Sequence, residues 1–572
     1  MLTVLRLVAC LSSLSRSLVH GLPTLSERQA SAHRGAVASE SDICSRIGTD
    51  ILGNGGNAAD ALVGTVFCIG VVGMYHSGIG GGGFVLVRAP NGSYEFIDFR
   101  ETAPAAAFQD MYNNNTNLSI FGGLASESGV PGEVRGLQKI HEQYGSLPWS
   151  DVMQGAIRTA RYGWNVTADL VRYMRSANSS AQVPNFLCVE PAWAIDFCPN
   201  GTLVGLGDTI SRRRYADTLE TIAIEGPDAF YSPKSAIAQA TIAALRAANG
   251  TMTLTDLANY TVAVRPVNNI TYGDYHIFGT SAPSSGAIVL STLNTVSGYN
   301  DFFTAETTNL STHRLDEAMR FAYAARTEFG DPLFVANMSR YEQELLLPAT
   351  GVDIRAKISD TRTFNVSYYD PSGLESLETP GTSAIVTADA DGMAISLTTT
   401  VNLLFGSNLI VPETGVIMNN EMNDFSIPGS SNAFGYIPSP SNYIRPGKRP
   451  LSSISPVIAD FGMNRTLYFL TSSAGGSRII TANIQNLVNV LDKNLTAPQA
   501  LAQPRFHDQL VSQVSFEYTY DNETTAYLRS LGANITWVAP GQSTAQGIRR
   551  LPNGTFEAAG EPRQLNSGGF AV

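Results

Sequence analysis

Histidine and cysteine are scarce in this chain of 572 residues, which holds seven of the first and five of the second. No Cys-x-x-Cys and no His/Cys cluster occurs, so no metal centre and no cofactor are expected. The 37 Lys and Arg form no long run, the 49 Asp and Glu outnumber them, and the net charge is −12. That balance argues against nucleic acid as a partner. No stretch reaches the length of a stable membrane span; the nearest, Ala61 to Tyr75, is short, follows Asp60 and reads as a buried helix. The glycine run His76-Ser77-Gly78-Ile79-Gly80-Gly81-Gly82-Gly83 lacks a closing Gly-Lys-Ser/Thr and does not open a helix after a strand. It is therefore neither a phosphate loop nor a dinucleotide fingerprint, and reads as a close backbone crossing. Gly-x-Ser-x-Gly is absent too, which removes the serine nucleophile elbow.

What is present suits a large globular unit, with 44% hydrophobic and 15% charged residues. Met1 to about His20 is apolar with Arg6 and Arg16, and is expected to be a secretory signal. Seventeen Asn-x-Ser/Thr triplets, from Asn91 to Asn553, agree with a secreted or vacuolar glycoprotein. Cys10 leaves with the signal, so Cys44, Cys68, Cys188 and Cys198 remain. Three pairings are open, and Cys44–Cys68 with Cys188–Cys198 is favoured because it closes the shortest loops.

Helical periodicity covers Glu40 to Leu52, and Asn57 can cap a helix from Ala58 to about Val72. Phe84 to Arg88 and Tyr94 to Phe99 form a predicted hairpin about Asn91-Gly92. Arg100 ends its second strand, as a surface ion pair or as a planar fork for a carboxylate. Thr312 to Phe329 reads as an amphipathic helix, with His313 a packing or capping residue. Ser426 to Pro450 is a long Pro/Gly/Ser/Asn-rich loop with the character of a lid. Gly475-Gly476 precede a helix from Arg478 to about Leu491, so their amides suit an oxyanion.

The centre of interest is Gly381-Thr382. A cut between the two would leave Thr382 with a hydroxyl and a free α-amine, a nucleophile and its base in one residue. Thr382 opens a strand that runs to Asp389-Ala390-Asp391-Gly392-Met393. A three-residue loop there pairs Asp389 with Met393, hence Thr382 with Thr400, and puts Asn402 on the same face. A two-residue loop would oppose Val401 to Thr382 and turn Thr400 and Asn402 away.

Four motifs then converge: Thr400-Val401-Asn402-Leu403-Leu404-Phe405-Gly406-Ser407, Asn419-Asn420-Glu421-Met422-Asn423-Asp424, Arg449-Pro450-Leu451-Ser452-Ser453 and Gly475-Gly476-Ser477-Arg478. With Arg100-Glu101-Thr102-Ala103-Pro104, they make the chain resemble the γ-glutamyltranspeptidase family of N-terminal-nucleophile hydrolases, nearly from end to end. The resemblance implies an α+β fold, a four-layer α-β-β-α sandwich. It also implies a precursor that cuts itself before Thr382 into a large subunit, 21–381, and a small subunit, 382–572, which form one intertwined unit. Thr382 would take a γ-glutamyl group from glutathione or another donor and pass it to water, an amino acid or a dipeptide. Arg100, Ser452 and Ser453 would hold the donor's α-carboxylate. Asn402, Glu421 and Asp424 would hold its α-ammonium. Gly475 and Gly476 would stabilise the oxyanion, Thr400 would orient Thr382, and Phe434 would belong to the lid. The same disulfides are implied.

Two positions depart from the family pattern, which commonly has His two residues and Ser four residues after the nucleophile. This chain has Ala384 and Val386 there. The alternatives are an acylase of the same fold with another acyl donor, or an unprocessed glycoprotein that binds γ-glutamyl compounds.

Overall fold

The computed structural model describes residues 33–113, 128–180, 183–371, 381–429 and 438–572. The expected signal segment and Phe434 lie outside these residues.

Strands whose side chains alternate between two apolar environments build the centre. In Gly35–Ser39, Ala36 and Ala38 pack into one core and Val37 into another. In Gly82–Arg88, Leu86 takes the first core, while Val85 and Val87 face a layer of helices. This two-residue period places each strand between a second sheet and a helical layer. Seven antiparallel strands lie in the order Gly568–Ala571, Gly35–Ser39, Gly381–Asp389, Ala394–Asn402, Gly82–Arg88, Tyr94–Asp98, Ala263–Arg265. A second antiparallel sheet has the order Phe556–Ala559, Thr544–Arg550, Thr466–Ala474, Val457–Phe461, Tyr275–Thr280, Val267–Tyr272. Val386, Ile458, Leu470 and Ile548 meet between the sheets. Each such fully buried side chain contributes about 1.5–3 kcal/mol.

Helices cover both outer faces. Ala58–Val72 is buried along its whole length on the first sheet, as its run of apolar residues requires. Asn57 and Asp60 cap it reciprocally, the Asn57 side chain accepting from the Ala59 and Asp60 amides while Asp60 accepts from the Asn57 amide. Gly286–Val296, Thr308–Arg326 and Arg478–Leu491 cover the second sheet. The architecture is the α-β-β-α sandwich. Cys44–Cys68 and Cys188–Cys198 are the disulfides.

One expectation needs correction. Thr308–Arg326 has the spacing of an amphipathic helix, yet its charged residues Arg314, Asp316, Glu317 and Arg320 are buried with its apolar ones. The charges find partners across the chain, including Asp508, instead of water. His313 is buried there, with Nε2 at 2.7 Å from the Ser359 carbonyl, the packing role expected of it.

The glycine run is a backbone crossing. A Cβ on Gly81 would sit 2.0 Å from the Thr400 carbonyl oxygen, and one on Gly83 2.2 Å from that of Thr398. Only glycine lets this strand approach the partner that carries Thr400.

Candidate active site

The turn chemistry sets the register. Gly392 takes φ +88°, and the Asp389 amide donates to the Met393 carbonyl at 3.0 Å, closing the three-residue loop. Thr382 therefore lies opposite Thr400. A register shift after Thr400 pairs Asn402 with Gly381, and Asn402 adopts φ +75°, which asparagine tolerates better than most residues. Asn402 thereby joins the pocket wall beside the two threonines.

The bond before Thr382 is closely held. The Asn402 amide donates to Thr400 Oγ1 at 2.7 Å, and Thr400 Oγ1 donates to the Gly381 carbonyl at 2.5 Å. Thr382 Oγ1 is 3.4 Å from Thr400 Oγ1. A Cβ on Gly381 would lie 2.5 Å from the carbonyl oxygens of Asn402 and Leu403, so the residue before Thr382 must be glycine. On the opposite face of the strand, the Ser383 hydroxyl donates to Glu40, which also contacts His76 Nδ1 at 2.7 Å and accepts from Gln564 at 2.9 Å. This anchor came from no motif. On the Thr382 face, Ala384 pairs with Thr398 and Val386 is part of the inter-sheet core.

A small pocket, about 50 Å³ in volume, opens on Thr382. Its wall gathers Thr400, Asn402, Arg100, Glu421, Asp424, Ser452, Ser453 and Gly476 from five separate stretches of chain. Gly475, with φ +122°, and Gly476, with φ +58°, turn the chain from Thr466–Ala474 into Arg478–Leu491. That turn is held from behind. Tyr323 donates to the Ser477 carbonyl at 2.6 Å, and Ser477 Oγ donates to Gln509 beside His507 Nε2. Burial, then Arg478, pushes His507 down to about 3, so it stays neutral.

Arg100 departs from the expected division of labour. Instead of standing apart from Glu421 and Asp424, it pairs with both, through Nη1 and Nη2. Opposite charges buried in one pocket neutralise one another when no ligand does so. Burial alone would depress the Arg100 guanidinium, but Glu421, Asp424 and Glu101 outweigh it and hold it above its ordinary value. Burial raises Glu421 against the pull of Arg100. Burial likewise lifts Glu101 to about 8, and neither of its oxygens has a hydrogen-bond partner among the described residues. Two buried acceptors, Glu421 Oε2 and Asn402 Oδ1, also lack a partner there.

Sequence reasoning missed the supports of this pocket. Asn442 donates to the Asp424 carbonyl at 2.7 Å and accepts from the Leu451 amide at 2.9 Å, tying two motifs together. The turn Pro283-Ser284-Ser285-Gly286 holds the serine loop, with the Ser452 amide donating to the Pro283 carbonyl at 2.9 Å and the Ser285 amide to Ile454 at 2.8 Å. Arg326 lines the pocket as well. The hydroxyl-rich turn before the helix Gly286–Val296 was the one available signal, and Ser285, at the N-cap, makes no side-chain cap hydrogen bond there.

An α-β-β-α sandwich with a threonine at the head of a central strand, beside a pocket, defines an N-terminal-nucleophile hydrolase. A family model described as Gamma-glutamyltranspeptidase matches residues 44–570. A glutathione hydrolase proenzyme of Arthroderma benhamiae is 55% identical, covering 94% of this chain and 93% of that relative. A glutathione hydrolase of Aspergillus flavus is 51% identical, over 94% and 89%. Among solved structures, a cephalosporin acylase from Bacillus halodurans superposes with a TM-score of 0.80 at 26% identity, covering 95% of this chain and 96% of its own. The chain belongs to the γ-glutamyltranspeptidase family.

Proposed function

We propose that the protein is a self-processing γ-glutamyltransferase that cleaves glutathione and related γ-glutamyl compounds. The observation that carries this reading is the pocket beside Thr382. It joins donors for a carboxylate, Arg100 with Ser452 and Ser453, to acceptors for an ammonium, Glu421 Oε2 and Asn402 Oδ1, that have no partner among the described residues. A free amino-acid head group carries both charges. On entering, it takes over the ion pairs that Arg100 now makes with Glu421 and Asp424.

Maturation comes first. Thr382 Oγ1 attacks the Gly381 carbonyl carbon, and the Thr400 hydroxyl, already at 2.5 Å from that carbonyl oxygen, stabilises the developing charge. The peptide nitrogen leaves as the α-amine of Thr382, and water cleaves the resulting ester to give chains 21–381 and 382–572. In turnover, the free amine takes the proton of Oγ1 as it attacks the γ-carbonyl. The Gly475-Gly476 turn, with Gly476 on the pocket wall, serves to stabilise the oxyanion, the leaving amine departs with a proton, and water or an amino acid or dipeptide accepts the γ-glutamyl group. The apolar N-terminal segment, the Asn-x-Ser/Thr triplets and two disulfides support secretion or vacuolar delivery. No helix among the described residues is long and apolar enough to cross a membrane.

Protein secreted by an expression host tests the reading. On a denaturing gel it runs as two chains, the smaller beginning at Thr382, and it hydrolyses a chromogenic γ-glutamyl anilide far faster than the glutaryl anilide. Thr382→Ala stays one chain and is inactive. The acylase reading draws on the Bacillus halodurans resemblance, and equal or better turnover of the glutaryl donor would establish it instead.

A further inference from the structure

Arg326 closes the helix Thr308–Arg326, is 7% exposed and lies on the pocket wall. Its Nε donates to Ser285 Oγ at 3.0 Å and its Nη2 to Ser453 Oγ at 3.1 Å. A guanidinium only donates, so each hydroxyl oxygen must accept there and send its single proton elsewhere. Ser285 sends its proton to the Ser452 carbonyl at 2.6 Å. No described residue accepts the proton of Ser453, which lies on the pocket wall beside Arg100.

We propose that Arg326 is a positioning residue for donor binding: it fixes Ser453 as a one-way hydrogen-bond donor into the pocket, aimed at the α-carboxylate of the γ-glutamyl group. This rests on the proposed γ-glutamyl specificity and adds how the site tells a carboxylate from other polar groups. A serine hydroxyl free to rotate greets donors and acceptors alike. One with a lone pair engaged by a guanidinium has its proton turned away from the arginine and favours anionic acceptors, because the positive charge lies directly behind it. Arg326 needs two donors set at the spacing of Ser285 and Ser453, which lysine cannot supply.

The test is a double-mutant cycle on the mature two-chain enzyme with the γ-glutamyl anilide, using Arg326→Gln, Ser453→Ala and the combination. Thermal midpoints and chain separation verify folding. Arg326→Gln is expected to raise KM about 10- to 100-fold with kcat within about threefold. Arg326→Lys falls between. In the Ser453→Ala background the same Arg326→Gln change is expected to cost less than about threefold, since no hydroxyl remains to be aimed. An equal KM penalty in both backgrounds, or a kcat loss at unchanged KM, overturns the assignment. If Arg326→Gln does not mature, Arg326→Lys carries the same cycle. A mature wild-type protein that leaves the γ-glutamyl anilide intact overturns the functional reading and this assignment together. Turnover without coupling between the two positions overturns the assignment alone.

Discussion

Two arginines in this molecule each face three buried carboxyl groups, and the two groups are finished differently. Arg100 meets Glu421, Asp424 and Glu101. Arg320 meets Asp508, Asp316 and Glu317. Around Arg320 the chain itself supplies most of the bonds, leaving Asp316 Oδ1 and Asp508 Oδ2 without a hydrogen-bond partner among the described residues, although Asp508 pairs with Arg320. Tyr369 donates to both Glu317 oxygens at 2.9 Å, the Leu510 amide donates to Asp508 at 2.7 Å, and Arg320 reaches Asp508 at 2.7 Å. Around Arg100, Glu421 Oε2, Arg100 Nε and both Glu101 oxygens have no partner among the described residues, and the group opens on the pocket beside Thr382. The same charges thus serve as a brace inside the fold in one place and as part of a pocket wall in the other. Burying polar atoms without partners costs about 1–3 kcal/mol each, and a ligand that supplies the missing bonds recovers that cost.

The largest effect expected from breaking this comparison is at Arg320. Arg320→Met leaves the Asp316, Glu317 and Asp508 carboxyls without their common cation, and is expected to destabilise the protein by about 3–5 kcal/mol. Thermal melts of the purified variant measure this, with the yield of two-chain enzyme as a second reading. A melt indistinguishable from wild type would falsify the brace. Arg100→Lys is expected to leave the melt close to wild type, because one ammonium still neutralises Glu421 or Asp424. Its donor KM should rise about 10- to 100-fold, since the planar fork is lost. An unchanged KM removes Arg100 from the site. Tyr369→Phe is smaller, taking one donor from Glu317 at a cost of about 1–3 kcal/mol with donor KM unaltered. A shift in KM there would mean the two groups are coupled.

How far these groups could be read from sequence follows from their spacing. The Thr382–Thr400 pairing was one of two registers that the period of two and the Asp391-Gly392 turn allowed, and the resemblance favoured it. The glycine crossing was legible by what it lacked. The brace was not. Arg314, Asp316, Glu317 and Arg320 fall at helical spacing and read as a solvated face, while the partners that bury them, Tyr369 and Asp508, lie about 50 and 190 residues further on. Arg326 was missed for the same reason, ending a helix that showed only its own period. The resemblance supplied Arg100, Glu421 and Asp424 as separate ligands. Their mutual pairing became visible only once three distant segments shared one buried volume.

The finest test concerns Glu101, whose side chain is fully buried 3.9 Å from Arg100. Burial lifts its carboxyl from the ordinary 4.5 to about 8. The native state therefore holds a proton between these values that the unfolded chain has released. Unfolding then takes up no proton but loses one, so stability falls as pH rises from about 5 to 8, by at most about 1.4 kcal/mol per pH unit from this group. Glutamine is close in shape to the neutral acid. Glu101→Gln should match wild type within roughly 1 kcal/mol at pH 5 and show a shallower decline toward pH 8. Donor KM gives an independent reading. At pH 6 the variant and wild type should agree within about twofold. Above pH 8 the ionised Glu101 of the wild type competes with the substrate carboxylate for Arg100, so its KM climbs while the variant's stays level. Parallel stability slopes and parallel KM profiles would mean that Glu101 is charged at neutral pH. The contrast between the Arg100 group and the Arg320 group would then rest on the pocket beside Thr382 alone.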